Sequence, residues 1–431
     1  MIRPTPLWRS VAVLGVAGLV LTACGGDDEE PGTAKASETS AEETSASPVA
    51  EGDGTLKIGT LLPSTGSLAF LGPPEFAGVD LAIQDINEAG GVFGKPIDPA
   101  THSDSGDTST NTATQSVERL LSNDVDAIIG AASSSVSLSV IDKITGSGVV
   151  QVSPANTSDE FTGYDDKGLY FRTAPPDVLQ GRVLGDLILS DGNTTLGILA
   201  LQDSYGTGLA ENTQTSFEGG GGSVVATVIY DPKAASFSTE VGKLKAADPE
   251  AIAVIAFDET KKIIPEMVKQ GIGPQDKKVY FVDGNLAGYS EDFEEGTLDG
   301  VKGTLPGVVA DDEFKERLMA VEGYADLSEF AYAPESYDAT ILVALAAHAA
   351  QNDSGEAIAS KMQDVSSGGT ECKTYKECLD LLDDGQDIDY NGVSGPIEFN
   401  DVGDPSQASI GIYQYDATND YSFLEAKSGS I

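Results

Sequence analysis

From Leu56 onward, the sequence alternates short apolar runs with segments that have the spacing of helices. The first run, "LKIGTLL", is followed by "PPEFAGVDLAIQDINEAGG", where four apolar residues fall on one helix face: Phe76, Val79, Ile83 and Ile86. The pattern repeats in "VDAIIGAA", "SSVSLSVIDKITGSG" and "VVQVSPA". Strands that alternate with helices form parallel sheets covered on both faces. The sequence therefore predicts an α/β fold.

A second series of the same kind begins after the extended stretch "LYFRTAPPD". Its predicted strands are "TLGILAL", "SVVATVIYD", "AIAVIAF" and "KVYFVDG", and helical segments lie between them. The remainder of the chain carries a long helix near "ESYDATILVALAAHAAQ" and a β pair in "GPIEFNDVGDPSQASIGIYQYD" that returns to both halves. The length of this part of the chain suits two domains. We expect two α/β lobes with parallel central sheets, joined by several crossing segments, with a cleft between them.

The N-terminus has the features of an export signal. Arg3 and Arg9 precede an apolar run from Val11 to Leu21, which is too short for a membrane span. The sequence predicts a signal peptide at 1–23. The tetrapeptide "LTAC" resembles a lipobox, which implies a lipid anchor at Cys24; an incidental cysteine after an ordinary signal is the alternative. Residues 24–54 are acidic and nearly free of large apolar side chains, which predicts a disordered tether.

The charge and the cysteine content limit which partners and which compartment this protein can have. Asp and Glu outnumber Lys and Arg by 69 to 25, a net charge of -44, so nucleic acid is excluded as a partner. Cys372 and Cys378, in "ECKTYKEC", form a local pair that predicts a disulfide fastening a surface loop in an oxidising compartment. A zinc site is the alternative, but no histidine or second cysteine pair lies nearby. No metal or cofactor is expected.

Ligands of open parallel sheets bind beyond the carboxyl ends of the strands. The loops there include "PSTGSLAF", "GAASSS", "SPANTS", "QDSYG", "FDE" and "VDGN". A serine nucleophile needs a nearby base, and the chain has two histidines, His102 and His348, and no G-x-S-x-G motif. The "GAASSS" loop lacks the lysine of a phosphate loop, and no G-x-G-x-x-G follows the first strand. We therefore expect no enzyme.

The three serines of "GAASSS" stand where a strand gives way to a helix. A helix N-terminus with free backbone N–H groups and hydroxyls can bind one anion, such as a carboxylate, without an arginine. Serine is also a common helix N-cap, so one of Ser133 to Ser135 needs no ligand to explain it. Both interpretations stay open from these residues alone.

Several segments, in order over 55–431, resemble the branched-chain amino acid binding proteins of ABC importers. They include "IGTLLPSTGSLAFLGPPEFAGVDLAIQDINEAGG", "GAASSSVS", "VVQVSPANTSDEFT", "DSYGTGLA" and "GVSGPIEFNDVGDP". The resemblance implies the type I periplasmic-binding fold, two Rossmann-like lobes joined by a three-segment hinge. Lobe 1 would comprise 55–174 and 305–404, and lobe 2 would comprise 175–304 and 405–431. The hinge segments would be 173–176, 304–307 and 403–406.

The resemblance also implies a ligand site. It places the α-carboxylate of an amino acid at Ser134 with help from Thr157, and gives the carbonyl of Ala155 to the ammonium group. The family's ammonium-binding glutamate corresponds to Asp283 here, which is one methylene shorter, and Asn285 is the alternative in that loop. By the same resemblance Tyr205 would close over the ligand from the second lobe, with Phe257 as a further aromatic. Phe70 and Leu71 are additional candidates for an apolar wall, and ordinary loop packing is the alternative for these two.

The implied function is capture of a small amino acid outside the cell and delivery to a membrane permease driven by a separate ATPase. The partners would be this ligand, the permease and, through Cys24, the outer face of the cell membrane. Relatives with the same fold take urea, short amides, polyamines or aromatic acids, so these ligands stay open. A sensor that presents its ligand state to a receptor is a further alternative.

The lipid anchor can be tested directly. We expect metabolic labelling with a fatty acid to mark the full-length protein and to leave a Cys24→Ala variant unlabelled, because the thiol is the acceptor of the diacylglycerol. Label retained on the variant would contradict the anchor.

Overall fold

The computed structural model describes residues 50–431. The predicted signal peptide, Cys24 and the tether up to residue 49 lie outside the described residues. Among the described helices, none combines the length and apolar character needed to cross a membrane.

The first sheet has five strands in the order β2-β1-β3-β4-β5, and every neighbouring pair is parallel. Parallel neighbours need crossover connections; an α-helix supplies each of the first three, and a loop with a short 3₁₀ turn at Asp159–Phe161 supplies the last. Its elements are β1 Ile58–Leu62, α1 Gly72–Glu88, β2 Thr101–Asp104, α2 Thr112–Ser122, β3 Ala127–Gly130, α3 Ser134–Gly146, β4 Val150–Ser153 and β5 Tyr170–Arg172. Strand β2 was not predicted, because this edge strand reads "THSD" and has no apolar run.

The second sheet has seven strands in the order β15-β14-β10-β9-β8-β6-β7. Its elements are α4 Asp177–Ser190, β6 Thr195–Leu201, α5 Ser204–Gly219, β7 Ser223–Tyr230, α6 Ser238–Ala247, β8 Ala251–Ile255, α7 Thr260–Gln270, β9 Lys278–Phe281, β10 Lys302–Pro306, β14 Gln407–Tyr415 and β15 Tyr421–Ser430. Five strands are parallel, but β14 and β15 are antiparallel to their neighbours. The prediction of a parallel sheet was wrong at this edge, because a short loop joins β14 to β15 and forces a hairpin.

The remaining elements pack beside the first sheet. They are α8 Asp312–Ala320, α9 Ala333–Ala350, α10 Gly355–Ser366, β11 Thr370–Cys372, α11 Tyr375–Asp383, β12 Ile388–Gly392 and β13 Gly395–Pro396. The strands β11, β12 and β13 form a third small sheet, so the β pair predicted in 395–416 is split between two sheets. Helix α9 is buried along nearly its whole length. Helix α1 lies close to α9, and Gly78 of α1 allows this approach, since a Cβ there would lie 2.4 Å from the carbonyl of Ala333.

The cysteine pair lies in this third region. Cys372 of β11 and Cys378 of α11 have Cα atoms 5.4 Å apart, with their sulfurs placed as a disulfide. Both cysteines are buried in the apolar core beside the first sheet, whereas Lys373, Thr374, Lys376 and Glu377 between them are exposed, so the pair lies where it would fasten a surface segment to the core. The oxidised state itself stays a prediction.

The chain passes three times between the regions of the two large sheets, after β5, after β10 and before β14. The segments proposed as hinges fall at these passages, although Thr304 to Pro306 belong to β10. Next to the first and third passages lies a buried ion pair, in which Nε of Arg172 donates to Asp404 at 2.6 Å. Arg172 also donates to the carbonyl of Ser158 and the hydroxyl of Thr162. The exact lobe boundaries stay a prediction.

The Arg172–Asp404 pair predicts a large stability effect. Asp404→Ala leaves a buried guanidinium without its counter-charge, so we expect a loss of about 3–5 kcal/mol in the free energy of unfolding, measured by urea titration. The neighbouring Asp401 is exposed, and Asp401→Ala should change that free energy by less than about 0.5 kcal/mol. Equal effects of the two substitutions would contradict this role for the ion pair.

Candidate functional site

Five of the six predicted ligand-binding residues line one small cavity between elements of the two large sheets. Its volume is about 20 Å³. The predicted residues in its wall are Ser134, Ala155, Tyr205, Phe257 and Asp283, and the further lining residues are Leu68, Leu71, Ala132, Ser133, Gly284 and Tyr332. Loops that are far apart in sequence therefore converge at this point.

The serine loop supplies three hydroxyls with three different contacts. Ser133 is the N-cap of α3 and accepts from the backbone N–H of Val136. Ser134 Oγ accepts from the backbone N–H groups of Thr157 and Ser158, both at 3.3 Å, and so joins α3 to the "SPANTS" loop. Ser135 Oγ reaches the other half of the molecule, where it donates to Asp203 at 3.2 Å. Capping therefore explains Ser133, but it does not explain the other two serines.

The "SPANTS" loop is held rigidly against the serine loop. Asn156 Nδ2 donates to the carbonyls of Ala131 and Ala132, while its Oδ1 accepts from Tyr170. Ala155, next to it, lines the cavity. A network in which every member has partners fixes loop geometry better than single contacts do.

Thr157 is the predicted residue that the structure does not bring to the cavity wall. It is buried below Ser134, and its Oγ1 has no hydrogen-bond partner among the described residues. Burial raises the pKa of the neighbouring Asp177 well above its usual range. A direct contact between Thr157 and a ligand would therefore need a change in the loop.

Asp283 is buried on the other side of the cavity, in a short 3₁₀ helix that follows β9. Its Oδ1 accepts from Gln180 Nε2 and Tyr205 Oη, and its Oδ2 accepts from Tyr332 Oη, each at 2.7 Å. Burial raises the pKa of Asp283, and the three donors offset part of this increase. A carboxylate offers about four acceptor positions, so one stays available for a further donor.

Asn285, the alternative to Asp283, has a different role. Its amide group donates to the carbonyl of Val254 and to Thr260 Oγ1, and its oxygen accepts from the backbone N–H of Val282. These contacts tie the loop to the end of β8. Asn285 is absent from the cavity wall.

The apolar part of the wall is a pair of stacked rings with leucines beside it. Tyr205 and Phe257 have ring centroids 5.5 Å apart and planes inclined by 12°. Leu71 lines the cavity as expected, while Phe70 packs against the core next to it and Leu68 takes a place in the wall. The core of the second sheet continues into these leucines, so apolar contact crosses the gap between the halves.

Sequence reasoning missed two donors to Asp283. They are Gln180, which lies in α4, and Tyr332, which directly precedes α9. Tyr332 has a left-handed backbone, with φ of 61°, directly before α9. The "AYAPES" stretch carries Pro334 near the helix start, which is a readable N-terminus signal. Such a signal indicates a helix start but says nothing about which loop it faces.

A larger opening lies outside the inner cavity and shares Leu68, Ser133 and Phe257 with it. Its volume is about 390 Å³. The remaining wall is polar and includes Asp107 and Asp203.

The histidines lie away from this site. His102, on β2, contacts Thr60 and Asp80, and His348, on α9, contacts Asp383. Neither lines the inner cavity or the outer opening. Within 50–431, no group of three His, Cys, Asp or Glu residues is placed to hold a metal ion.

Two α/β halves with three connecting passages, and a cavity with both apolar and polar walls where their strand ends meet, define a solute-binding protein of the type I periplasmic-binding fold. The sequence agrees with that class, since the family described as periplasmic binding protein matches residues 55–371. The chain belongs to this family, whose members act outside the cytoplasm.

Individual relatives are distant. The leucine-, isoleucine-, valine-, threonine- and alanine-binding protein of Pseudomonas aeruginosa is 28% identical over 217 residues, which is 50% of this chain and 57% of that protein. The match thus spans little more than half of that relative's length. Among solved structures, the branched-chain amino acid binding protein LivJ of Streptococcus pneumoniae, in complex with isoleucine, has a TM-score of 0.70 at 22% identity, over 88% of this chain and 100% of that one. A solute-binding protein of R. palustris in complex with benzoate has a TM-score of 0.69 at 18% identity, over 88% and 97%.

The contact between Ser135 and Asp203 predicts that closure depends on pH. Burial raises the pKa of Asp203 to about 6, and separation of the halves should return it toward the usual value of about 4. The closed form then binds more protons between these values, so closure is favoured as pH falls through about 6 and is weakened as pH rises through it. We expect small-angle scattering of the ligand-free protein to give a smaller radius of gyration at about pH 5 than at about pH 7.5.

Asp203→Asn should make this dependence shallower, because asparagine still caps α5 but does not titrate. Asp231→Asn is the matched control, since Asp231 lines the outer opening but is exposed. A pH dependence unchanged in the Asp203 variant would contradict the assignment.

Proposed function

We propose that this protein is an extracytoplasmic solute-binding lipoprotein that captures a small amino acid between its two halves and delivers it to an ABC importer. The observation that carries the proposal is the pairing of Ser134, at the N-terminus of α3, with the buried carboxylate of Asp283 across one cavity. These groups complement the two charged ends of an amino acid.

The carboxylate of the ligand would bind on the side of α3. A helix N-terminus presents backbone N–H groups and a partial positive charge, and both stabilise an anion. Ser134 Oγ uses its lone pairs on the N–H groups of Thr157 and Ser158, so its own proton can be donated to a ligand oxygen. Hydrogen bonds of this charge-assisted kind are about twice as strong as neutral ones.

The ammonium group would bind Asp283 and the carbonyl of Ala155. Asp283 has three donors and about one remaining acceptor position, which a ligand N–H would use. A neighbouring cation would also lower the pKa of Asp283 and so offset the cost of its burial. The rings of Tyr205 and Phe257, together with Leu71, supply an apolar surface for the side chain of the ligand.

Binding requires the halves to separate. An inner cavity of about 20 Å³ has room for roughly one water molecule. An amino acid is several times larger, so it must enter an open form and hold the closed one, with rotation at the three passages between the sheets. The closed form would be the one that the permease recognises.

An aromatic acid is the second candidate ligand. The stacked pair of Tyr205 and Phe257 favours it, and the structural neighbour from R. palustris is in complex with benzoate. Asp283 argues against it, because a benzoate has no group that would pair with a second, buried carboxylate.

Thermal-shift screening separates these ligands. At a hundredfold excess over its Kd, a true ligand stabilises the folded state by about 2.7 kcal/mol. We expect leucine, isoleucine or valine to raise the melting temperature, and urea, acetamide and benzoate to leave it unchanged. A rise with benzoate or an amide alone would contradict the amino-acid proposal.

The site itself is tested with the Ser134→Ala/Thr157→Ala double variant. Loss of hydrogen bonds to a charged carboxylate should weaken binding of the amino acid by about tenfold to a hundredfold, measured by calorimetry. Ser139→Ala, on the exposed face of the same helix, should bind normally. Unchanged affinity in a double variant that keeps its melting temperature would remove the proposed carboxylate site.

A further inference from the structure

A second and much larger cavity lies on another side of the molecule, between β10, the loop before α9 and the β14–β15 hairpin. Its volume is about 830 Å³, within the range of sites for small molecules. Tyr332 stands in the wall of both this cavity and the inner one, so the two are neighbours that this ring separates.

The wall of the large cavity combines aromatic rings with carboxylates. The aromatic residues are Phe330, Tyr332, Tyr413, Tyr421 and Phe423, and the acidic residues are Glu291, Asp292, Glu329, Glu335 and Asp420. The basic residue among those that line it is Lys315. Aromatic faces and carboxylates both attract cations, so most of this wall favours a positively charged ligand.

The rings of this cavity pack against one another. Tyr413 packs edge to face against Tyr421 and Phe423, with centroids 5.5 and 5.6 Å apart. Tyr421 Oη donates to Glu329 at 2.7 Å, and the backbone N–H of Gly288 donates to the other oxygen of that carboxylate. A cation would thus meet a fixed surface, which lowers the entropic cost of binding.

Glu335 adds a buried acid with an incomplete set of hydrogen bonds to this wall. The residue is 1% exposed, it contributes to the cavity wall, and its Oε1 has no hydrogen-bond partner among the described residues. Gly307 makes room for it, since a Cβ at that position would lie 1.9 Å from this oxygen. Burial raises the pKa of Glu335 well above its usual range, a cost that a bound cation would relieve.

The ammonium group of Lys315 lies against an aromatic ring of this wall. Its ammonium lies 5.5 Å from the centre of the Phe330 ring, so the protein's own cation already uses one aromatic face of this cavity. The carboxylates are spread around the wall, and in the described part of the chain no three ligating side chains are gathered for a metal ion. Distributed charge with aromatic surface suits an organic ammonium ion.

We propose that the cavity formed by the aromatic and acidic residues around Glu329 and Glu335 is a second binding site, distinct from the inner cavity, for an organic ammonium ion. This site does not depend on the amino-acid proposal. Its ligand would be recognised by positive charge carried on an apolar body, through the rings of Tyr413, Tyr421 and Phe423 and the carboxylates of Glu329 and Glu335.

The test is calorimetry at low ionic strength with choline and with 3,3-dimethylbutan-1-ol, its uncharged counterpart of nearly the same shape. We expect choline to bind and the alcohol to give at least about tenfold weaker binding, because only the charged compound gains the cation–π and carboxylate interactions. Equal binding of both compounds, or no binding of choline up to about 10 mM, would overturn the proposal.

Three variants locate the site. Glu329→Gln and Phe423→Ala should each weaken choline binding by about three- to tenfold, and Phe423 is exposed enough for its removal to leave folding intact. Glu322→Gln, an exposed acid outside the cavity, is the matched control and should bind choline normally. Equal affinity in all three variants would contradict the site.

The Ser134→Ala/Thr157→Ala variant separates this proposal from the proposed function. It should keep its affinity for choline whether or not an amino acid binds the inner cavity. Loss of choline binding in that variant would mean that the cation occupies the inner cavity, and the second site would be rejected.

Discussion

The buried carboxylate of Asp283 is the point on which the two halves of this protein converge. Its three donors come from α4, from α5 and from the residue before α9, which are elements separated by as many as 150 positions in the chain. A buried carboxylate without hydrogen-bond partners would destabilise the folded protein by several kcal/mol. Because loss of any one donor is unfavourable, each donor keeps its position. The inner cavity, the stacked pair of Tyr205 and Phe257, and the position of Tyr332 all follow from this arrangement.

A second buried charged group, Arg172, fixes one wall of the inner cavity. Arg172 connects the end of β5 to the "SPANTS" loop, through the carbonyl of Ser158, and to the third passage between the sheets, through Asp404. The same loop is fixed from its other side by Asn156 and by Ser134. One wall of the cavity is therefore built on fixed hydrogen bonds, while the other wall belongs to the half that we propose rotates at the three passages. A protein that closes on a solute requires one fixed wall and one wall that moves.

Sequence reasoning succeeded where the signal was local. The alternation of strands and helices predicted the α/β architecture, and the position of loops at strand ends predicted which loops could form a site. The resemblance to the branched-chain amino acid binding proteins implied that Ser134, Ala155, Tyr205, Phe257 and Asp283 would belong to it. It failed where the answer depended on a neighbour in space. The choice between Asp283 and Asn285 rests on which side chain turns toward β8, and both residues are equally polar in the sequence. Tyr332 carries no chemical motif at all, and its role appears only because α9 begins opposite Asp283. Strand β2 was missed because an edge strand needs few apolar residues.

By itself, the sequence determined the class of fold and the loops from which a site would be made, and it predicted an exported protein of acidic composition. These properties follow from periodicity, composition and order along the chain. Only the tertiary structure decided that Thr157 lies beneath the cavity wall, that β14 and β15 form an antiparallel edge, and that five rings and five carboxylates meet around a second cavity. Such facts depend on contacts between residues a hundred or more positions apart, and those contacts are selected by burial and hydrogen bonding in three dimensions.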